Sequence, residues 1–261
     1  MPKKIPVVFL FLLAFISTAT AQFSGFTHEI GIIAGPISFR SDYGERNNPE
    51  TISKNMGYSI GIVHYLNFTN FTSFSWNARE SYFSEHFRVR SELSFCKASL
   101  EHFGKWVDPS LTSVTSNQLR AMKGSTSLIN LGVQLEYYPL GISDFSSNIG
   151  AFSPFVSFGT QYSFCSPEIH SSLGPLDTPI STPTKYFNAT SNQSIKVPSL
   201  VGGIGTRYKY TDYSDLLLEI RWQYYFSDWV DGLNPNQAKY PENKFNDWNI
   251  WFNFGYIYYL E

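Results

Sequence analysis

After its first two dozen residues the chain alternates apolar and polar side chains in eight windows. Over 85–96, Phe87, Val89, Leu93 and Phe95 share one parity, and Arg88, Arg90 and Glu92 the other. Over 126–138, Ile129, Leu131, Val133, Leu135 and Tyr137 oppose Asn130, Gln134 and Glu136. Over 215–226, Leu216, Leu218, Ile220, Trp222, Tyr224 and Phe226 oppose Glu219, Arg221 and Gln223. Over 247–259, Ile250, Phe252, Phe254, Tyr256 and Tyr258 oppose Asn249, Asn253 and Gly255. A period of two puts alternate side chains on opposite faces of a sheet, where a helix would repeat every 3.6. The pattern predicts strands at 28–38, 56–66, 85–96, 126–138, 153–164, 199–209, 215–226 and 247–259. Each is near the ~9–11 residues of a tilted strand that crosses a bilayer.

The stretches between them are uneven. Those at 39–55, 97–125, 165–198 and 227–246 are long and polar, 139–152 is intermediate and 210–214 is a tight turn. Long loops at one rim and short turns at the other are the habit of a membrane barrel, although 67–84 is longer than that rule favours. Residues 117–123, followed by Gly124, predict one capped helical turn. Lys3 and Lys4, an apolar run over 7–16 and the small-x-small triplet Ala19-Thr20-Ala21 make 1–21 a cleaved secretory signal peptide, leaving 22–261 as a single barrel domain. The apolar run is too short for a membrane helix, and no other stretch of about 20 apolar residues follows.

Composition narrows the class. The 261 residues are 18% aromatic and only 15% charged, with a formal net charge of −2. Ordinary domains carry roughly a quarter charged residues. A disordered chain, a coiled coil and a basic nucleic-acid binder are therefore excluded, and two cysteines make neither a disulfide framework nor a zinc ribbon.

Alternation alone does not say which face meets water. A soluble barrel buries its apolar face, and a membrane barrel turns that face to lipid. Charges within the windows are nearly all Arg and Glu, while lysines such as Lys54, Lys105, Lys123, Lys185 and Lys239 sit in loops or at strand ends. A confined lumen favours Arg, whose planar fork pairs with carboxylates. Tyr65, Tyr137, Tyr138, Tyr208, Tyr210, Tyr224, Tyr225, Trp248, Trp251, Tyr256, Tyr258 and Tyr259 crowd the strand ends, as an interfacial girdle would. An exported chain without an apolar helix can span a bilayer only as a closed barrel. The predicted fold is all-β, an eight-stranded antiparallel outer-membrane β-barrel with long outer loops. A secreted lipocalin-like barrel is the alternative.

In that fold Glu29, Arg88, Arg90, Glu92, Glu136, Arg207, Glu219 and Arg221 share the lumen, which about eight strands leave just wide enough for side chains. Unpaired charge there is costly, so a structural Arg–Glu ion-pair network is predicted, with a gated ion path as the functional alternative. His102, Phe103, Lys105 and Trp106 form an aromatic-rich stretch that is the candidate partner-binding loop. Cys96 and Cys165 fall on the lumen parity at strand ends and are the candidate disulfide, which an exported compartment permits. They sit two strands apart, roughly 10 Å at ~4.8 Å per strand, beyond the ~7 Å Cα limit unless the loops bend inward.

The five histidines, His28, His64, His86, His102 and His170, have no metal-ligand spacing, and neither a metal nor a cofactor is expected. Glu168, His170 and Ser172 could supply an acid–His–Ser set at a rim, but no catalytic assignment follows from their spacing alone. Gly202-Gly203-Ile204-Gly205 lacks the third spaced glycine and the following helix of a nucleotide loop, and glycines in a barrel wall ease curvature. Asn67, Asn70, Asn188 and Asn192 begin N-x-Ser/Thr sequons, which matter only for a eukaryotic secreted protein.

Several short segments carry a resemblance. His28-Glu29-Ile30-Gly31 opens the first strand and Ala34-Gly35-Pro36 ends it; Arg90-Ser91-Glu92-Leu93-Ser94 lies in the third, Leu131-Gly132-Val133-Gln134-Leu135-Glu136-Tyr137-Tyr138 in the fourth, and Phe152-Ser153-Pro154-Phe155-Val156 introduces the fifth. In these the chain resembles the small flavobacterial-type outer-membrane barrels, including the PorG- and PorT-like barrels associated with type IX secretion. The resemblance implies a Gram-negative outer-membrane protein and an accessory place in a secretion apparatus. The long loops at 97–125 and 165–198 depart from simpler members.

The expected function is thus a non-enzymatic outer-membrane barrel, structural or partner-binding. Its partners would be outer-membrane lipid and other outer-membrane or secretion-system proteins, with no nucleic acid. A lipid-modifying enzyme at the barrel rim and a soluble ligand-binding barrel are the competing readings.

Overall fold

The computed structural model describes residues 26–45, 48–68 and 81–260. The expected signal peptide at 1–21, Asn70 and most of 67–84 lie outside them. The alternating windows become eight strands: β1 (Phe26–Arg40), β2 (Met56–Phe68), β3 (Phe87–Glu101), β4 (Met122–Tyr137), β5 (Phe152–Ser171), β6 (Ile195–Thr211), β7 (Ser214–Tyr225) and β8 (Trp248–Leu260). Each pairs antiparallel with its chain neighbour, and β1 pairs with β8 to close the barrel. Closure pairs every wall strand on both sides, the condition for a sheet to cross lipid. Phe26 and Leu260 lie at the same rim as the tight β6–β7 turn; the four long connections gather at the other.

The strands outrun the windows most at the long-loop rim, where β3 runs on to Glu101, β4 starts at Met122, β5 runs on to Ser171 and β6 starts at Ile195. Phe95, Ile129 and Phe164 lie abreast across β3, β4 and β5. On the short-turn side the next outward row is Leu93, Leu131 and Tyr162; on the long-loop side it is Lys97, Ser127 and Ser166. The apolar outward face stops there while the backbone ladder continues, and inward residues such as Ala98, Leu100, Met122 and Ile169 stay buried. The sequence signal followed the lipid-facing stripe, which ends where the wall enters water.

Among the described residues, four short α-helices decorate the connections: α1 (Pro49–Lys54), α2 (Tyr82–His86), α3 (Val114–Ala121) and α4 (Ser143–Ser147). The helical turn expected at 117–123 begins earlier, because Ser113 is its cap and its Oγ accepts from Ser116 N at 3.2 Å. Lys123 and Gly124 belong to β4 instead. The start of the window at 85 likewise belongs to α2, and β3 begins at Phe87.

Buried apolar side chains run the length of the barrel, from Val63, Leu217 and Ile257 in the short-turn half to a cluster at the long-loop end. Phe39, Tyr43, Leu100, Met122, Ile169, Tyr186, Val230 and Leu233 are buried together there, so strand extensions and loops jointly close that mouth.

Candidate functional site

The lumen of the short-turn half is built by strand parity. In one cluster Arg90 reaches Glu92, Glu136 and Glu219 at 2.9, 3.3 and 3.1 Å, and Arg221 reaches Glu92 and Glu219 at 2.7 and 2.8 Å. In the other, Glu29 is held by Arg88 at 3.0 Å and Arg207 at 2.6 Å, and Asp215 by Arg207 at 3.3 Å and Lys209 at 3.8 Å. All eight lumen residues named from the sequence lie in this network. Lys209 and Asp215 are additions; they end the predicted windows 199–209 and 215–226 and share the parity of Arg207 and of Glu219, so parity carried to the ends of those windows would have found them.

Aromatic rings pack against both clusters, and Tyr65 and Tyr138 lie between them. The Arg207 guanidinium lies 4.1 Å from the Tyr65 ring centre, Arg88 5.1 Å from Tyr138, Arg221 4.8 Å from Trp251 and the Lys209 ammonium 3.9 Å from Tyr259. Tyr65, Tyr138, Tyr225, Trp251 and Tyr259 therefore leave the interfacial girdle proposed for them and face the interior. In an eight-stranded barrel such bulk fills the section left by paired side chains. Outward Tyr137, Tyr208, Tyr256 and Tyr258 remain on the exterior.

Above the charges lies a neutral polar layer. Gln223 Nε2 donates to Ser199 Oγ at 2.9 Å and Ser163 Oγ at 3.3 Å, and Ser163 donates to Asn130 Oδ1 at 2.7 Å. Cys96 and Cys165 are buried at this level as free thiols, correcting the candidate disulfide. Leu128 of β4 is the cross-strand partner of both, so a whole strand separates them. The Cys96 thiol is instead 2.8 Å from Ser59 Oγ.

The long-loop end is closed by residues far apart in sequence. Asp231 accepts from Asp42 N and Leu233 N, both at 2.7 Å, and Asp247 accepts from Val230 N at 3.0 Å and Asp231 N at 3.1 Å. Burial, reinforced by the Asp42 charge, holds the Asp231 carboxyl well above the usual carboxylate range. Tyr186 Oη donates to Asp42 O at 2.9 Å, and Thr126 Oγ1 to Val230 O at 2.7 Å.

The candidate partner loop divides. His102 is only 7% exposed, and its Nδ1 accepts from Gly44 N at 3.0 Å. Burial, with Lys185 nearby, pushes its pKa down to about 3, so the ring is neutral and belongs to the cap. Phe103 is half-buried under the Lys54 ammonium, 5.0 Å from its ring centre. Only Lys105 and Trp106 face out, with Trp106 61% exposed.

The remaining sequence candidates are dispersed. Glu168 and His170 point outward from β5 above the apolar band, and no hydrogen bond joins them to each other or to Ser172 among the described residues. Gly203 and Gly205 are wall positions where a Cβ would strike Glu219 Oε1 at 2.8 Å and the Phe155 ring at 2.6 Å. Asn67 points inward and donates to Glu29 Oε1 at 2.8 Å, and Asn192 is tied to the Ile169 backbone. Strand pairing does bring His28 and His64 together, with Nδ1 and Nε2 3.0 Å apart, which sequence spacing missed. No group of three or more metal-ligating side chains occurs among the described residues.

No protein-family model and no curated protein matches the chain. Among solved structures it is similar to neisserial surface protein A, with 12% identity and TM-score 0.47 over 90% of this chain and 98% of that one. It is also similar to a major outer membrane protein of Thermus thermophilus, with 13% identity and TM-score 0.46 over 89% and 99%. A third is the outer membrane protein OprG of Pseudomonas aeruginosa, with 11% identity and TM-score 0.41 over 90% and 96%. The chain's own exterior decides its solvent. Ile32, Ile62, Leu131, Phe158, Ile204 and Phe254 are 54–63% exposed around the wall while Arg and Glu fill the inside, and only lipid reconciles those two faces. The protein is an outer-membrane β-barrel.

Proposed function

We propose that this barrel is a non-enzymatic, non-conducting membrane scaffold that presents its long-loop rim to a partner outside the cell. The observation that carries the reading is the contrast between a lumen filled by mutually paired side chains and a hydrogen-bonded rim that leaves Lys105 and Trp106 exposed. A plugged interior favours neither flux nor substrate entry, and an exposed Trp is the residue type that anchors interfaces. Outer-membrane lipid surrounds the wall. The resemblance to PorG- and PorT-like barrels extends the reading to an accessory of a type IX secretion apparatus.

Two measurements test this. In planar bilayers the purified protein is expected to give no conductance steps, and regular single-channel openings would overturn the scaffold reading. Mild-detergent isolation after cross-linking is expected to recover a partner that a Trp106→Ala variant loses. Normal cargo secretion in a deletion strain would sink the secretion assignment alone.

A further inference from the structure

On the outer surface of the wall, β1 and β2 bring two imidazoles together. His28 stands two residues in from the start of β1 and His64 four residues before the end of β2, both toward the short-turn rim. In the strand register Ile30 faces His64 and His28 faces Leu66, so the rings meet on the diagonal. They stack within 24° of parallel, with ring centres 5.2 Å apart, and His28 Nδ1 lies 3.0 Å from His64 Nε2. Parity turns both rings outward with Ile30, Ile32, Ile60 and Ile62, and both are partly exposed.

Ionisable side chains on a face that meets lipid are costly, and where they occur they usually bind or carry something. A hydrogen bond between the rings occupies one nitrogen of each. The other two, His28 Nε2 and His64 Nδ1, have no hydrogen-bond partner among the described residues.

The spacing of the facing nitrogens is also that of a metal site. Two imidazole nitrogens, each about 2.0–2.1 Å from one ion, lie about 2.9 Å apart when they subtend a right angle and about 3.4 Å apart in a tetrahedron. The 3.0 Å seen here is the spacing of adjacent ligands in a square-planar or octahedral ion. Side-chain rotations are enough to converge both lone pairs, and neither strand has to move. His28 also lies abreast of Leu260, the last residue of β8, so it stands at the edge of the wall. Water there can fill the remaining coordination positions. Neutral imidazole suits zinc, copper and nickel, whereas magnesium and calcium take oxygen ligands.

We propose that His28 and His64 form a two-histidine site for a borderline divalent transition-metal cation, with water completing its coordination. On binding, the ring whose N–H spans the pair shifts that proton to its own other nitrogen, so both facing nitrogens present lone pairs. Because β1 also pairs with β8, the ion ties the closing strand of the barrel to its neighbour. The site lies at the end of the wall opposite Lys105 and Trp106 and is independent of the partner-binding reading.

The experiment uses the full barrel without an affinity tag, in zwitterionic detergent, loaded with one equivalent of Cu(II). Electron paramagnetic resonance is expected to show an ion bound by two imidazole nitrogens, and one nitrogen or none would overturn the proposal. In calorimetric titrations Zn(II) is expected to bind, and Mg(II) at least about tenfold more weakly. His28→Ala and His64→Ala should each lose at least about tenfold in Zn(II) affinity, while His170→Ala, an exposed histidine on β5, stays at the parent value. Equal losses in all three variants, or none in the first two, would mean adventitious binding and overturn the site. The nitrogen count is taken on the parent protein, so it decides the question even where a variant fails to fold. The conductance and Trp106 tests are unaffected by either result.

Discussion

The two ends of this barrel are closed by different chemistry. Toward the short-turn rim the lumen is filled by ion pairs between residues that the strands carry at alternate positions, as in Arg88, Arg90 and Glu92 of β3 or Glu219 and Arg221 of β7. Toward the long-loop rim the mouth is filled by apolar side chains and by aspartates that cap backbone amides, with Asp42 and Asp231 meeting across 189 residues of sequence. The first closure uses charge against charge within the wall. The second uses loops folded over an apolar core, so the two ends should differ in cost of disruption, in pH response and in independence from the wall.

The largest difference is expected at Arg90. Its removal leaves Glu92, Glu136 and Glu219 crowded and short of a counter-charge in a site with no access to water. Arg90→Ala should cost about 3–5 kcal/mol in urea unfolding from lipid vesicles, with loss of the boiling-dependent gel shift. A cost under about 1 kcal/mol would mean that the network is not what fills this half. Next comes Asp231→Ala, which strands two buried backbone N–H donors at about 1–3 kcal/mol. Here the loops over 227–246 should become protease-sensitive while the gel shift persists, and simultaneous loss of both would show that cap and wall melt as one unit.

A smaller effect follows from protonation. The Asp231 carboxyl has a raised pKa in the folded cap, so the folded state holds its proton more tightly than the unfolded chain does. Its contribution is complete below about pH 4 and is lost as pH rises through the folded value. Amide exchange in 227–246 should therefore quicken from pH 5 to pH 8 beyond the intrinsic rate, and Asp231→Asn should flatten that excess. At the bottom of the scale is Trp106→Ala, which should leave stability within about 0.5 kcal/mol because the ring is already exposed. Reducing agent should likewise leave gel mobility unchanged, since Cys96 and Cys165 are unlinked.

The legibility of each feature in the sequence follows its range along the chain. Strand number and the sharing of one face by Arg88, Arg90 and Glu92 depend only on parity over a few neighbours, and the Arg and Glu content of that face pointed it inward. The ends of β3, β4 and β5 were less legible, because Lys97, Ser127 and Ser166 erase the apolar stripe while the ladder continues. Aromatic placement failed for a related reason. Tyr65 and Trp251 resemble girdle residues by type, but parity turns them inward onto Arg207 and Arg221.

Alternation by itself determined that this chain makes eight strands and which side chains share a face of each, because a two-residue period is a local property of extended backbone; the Arg and Glu content of the polar face then turned that face inward. Tertiary structure alone decided which carboxylate meets which guanidinium, that Leu128 separates the two thiols, that His102 is buried, and that Lys185 and Lys239 share one tyrosine ring. Most of those contacts join residues tens to more than a hundred positions apart, and only closure of the wall and the folding of loops across its mouth bring them into reach.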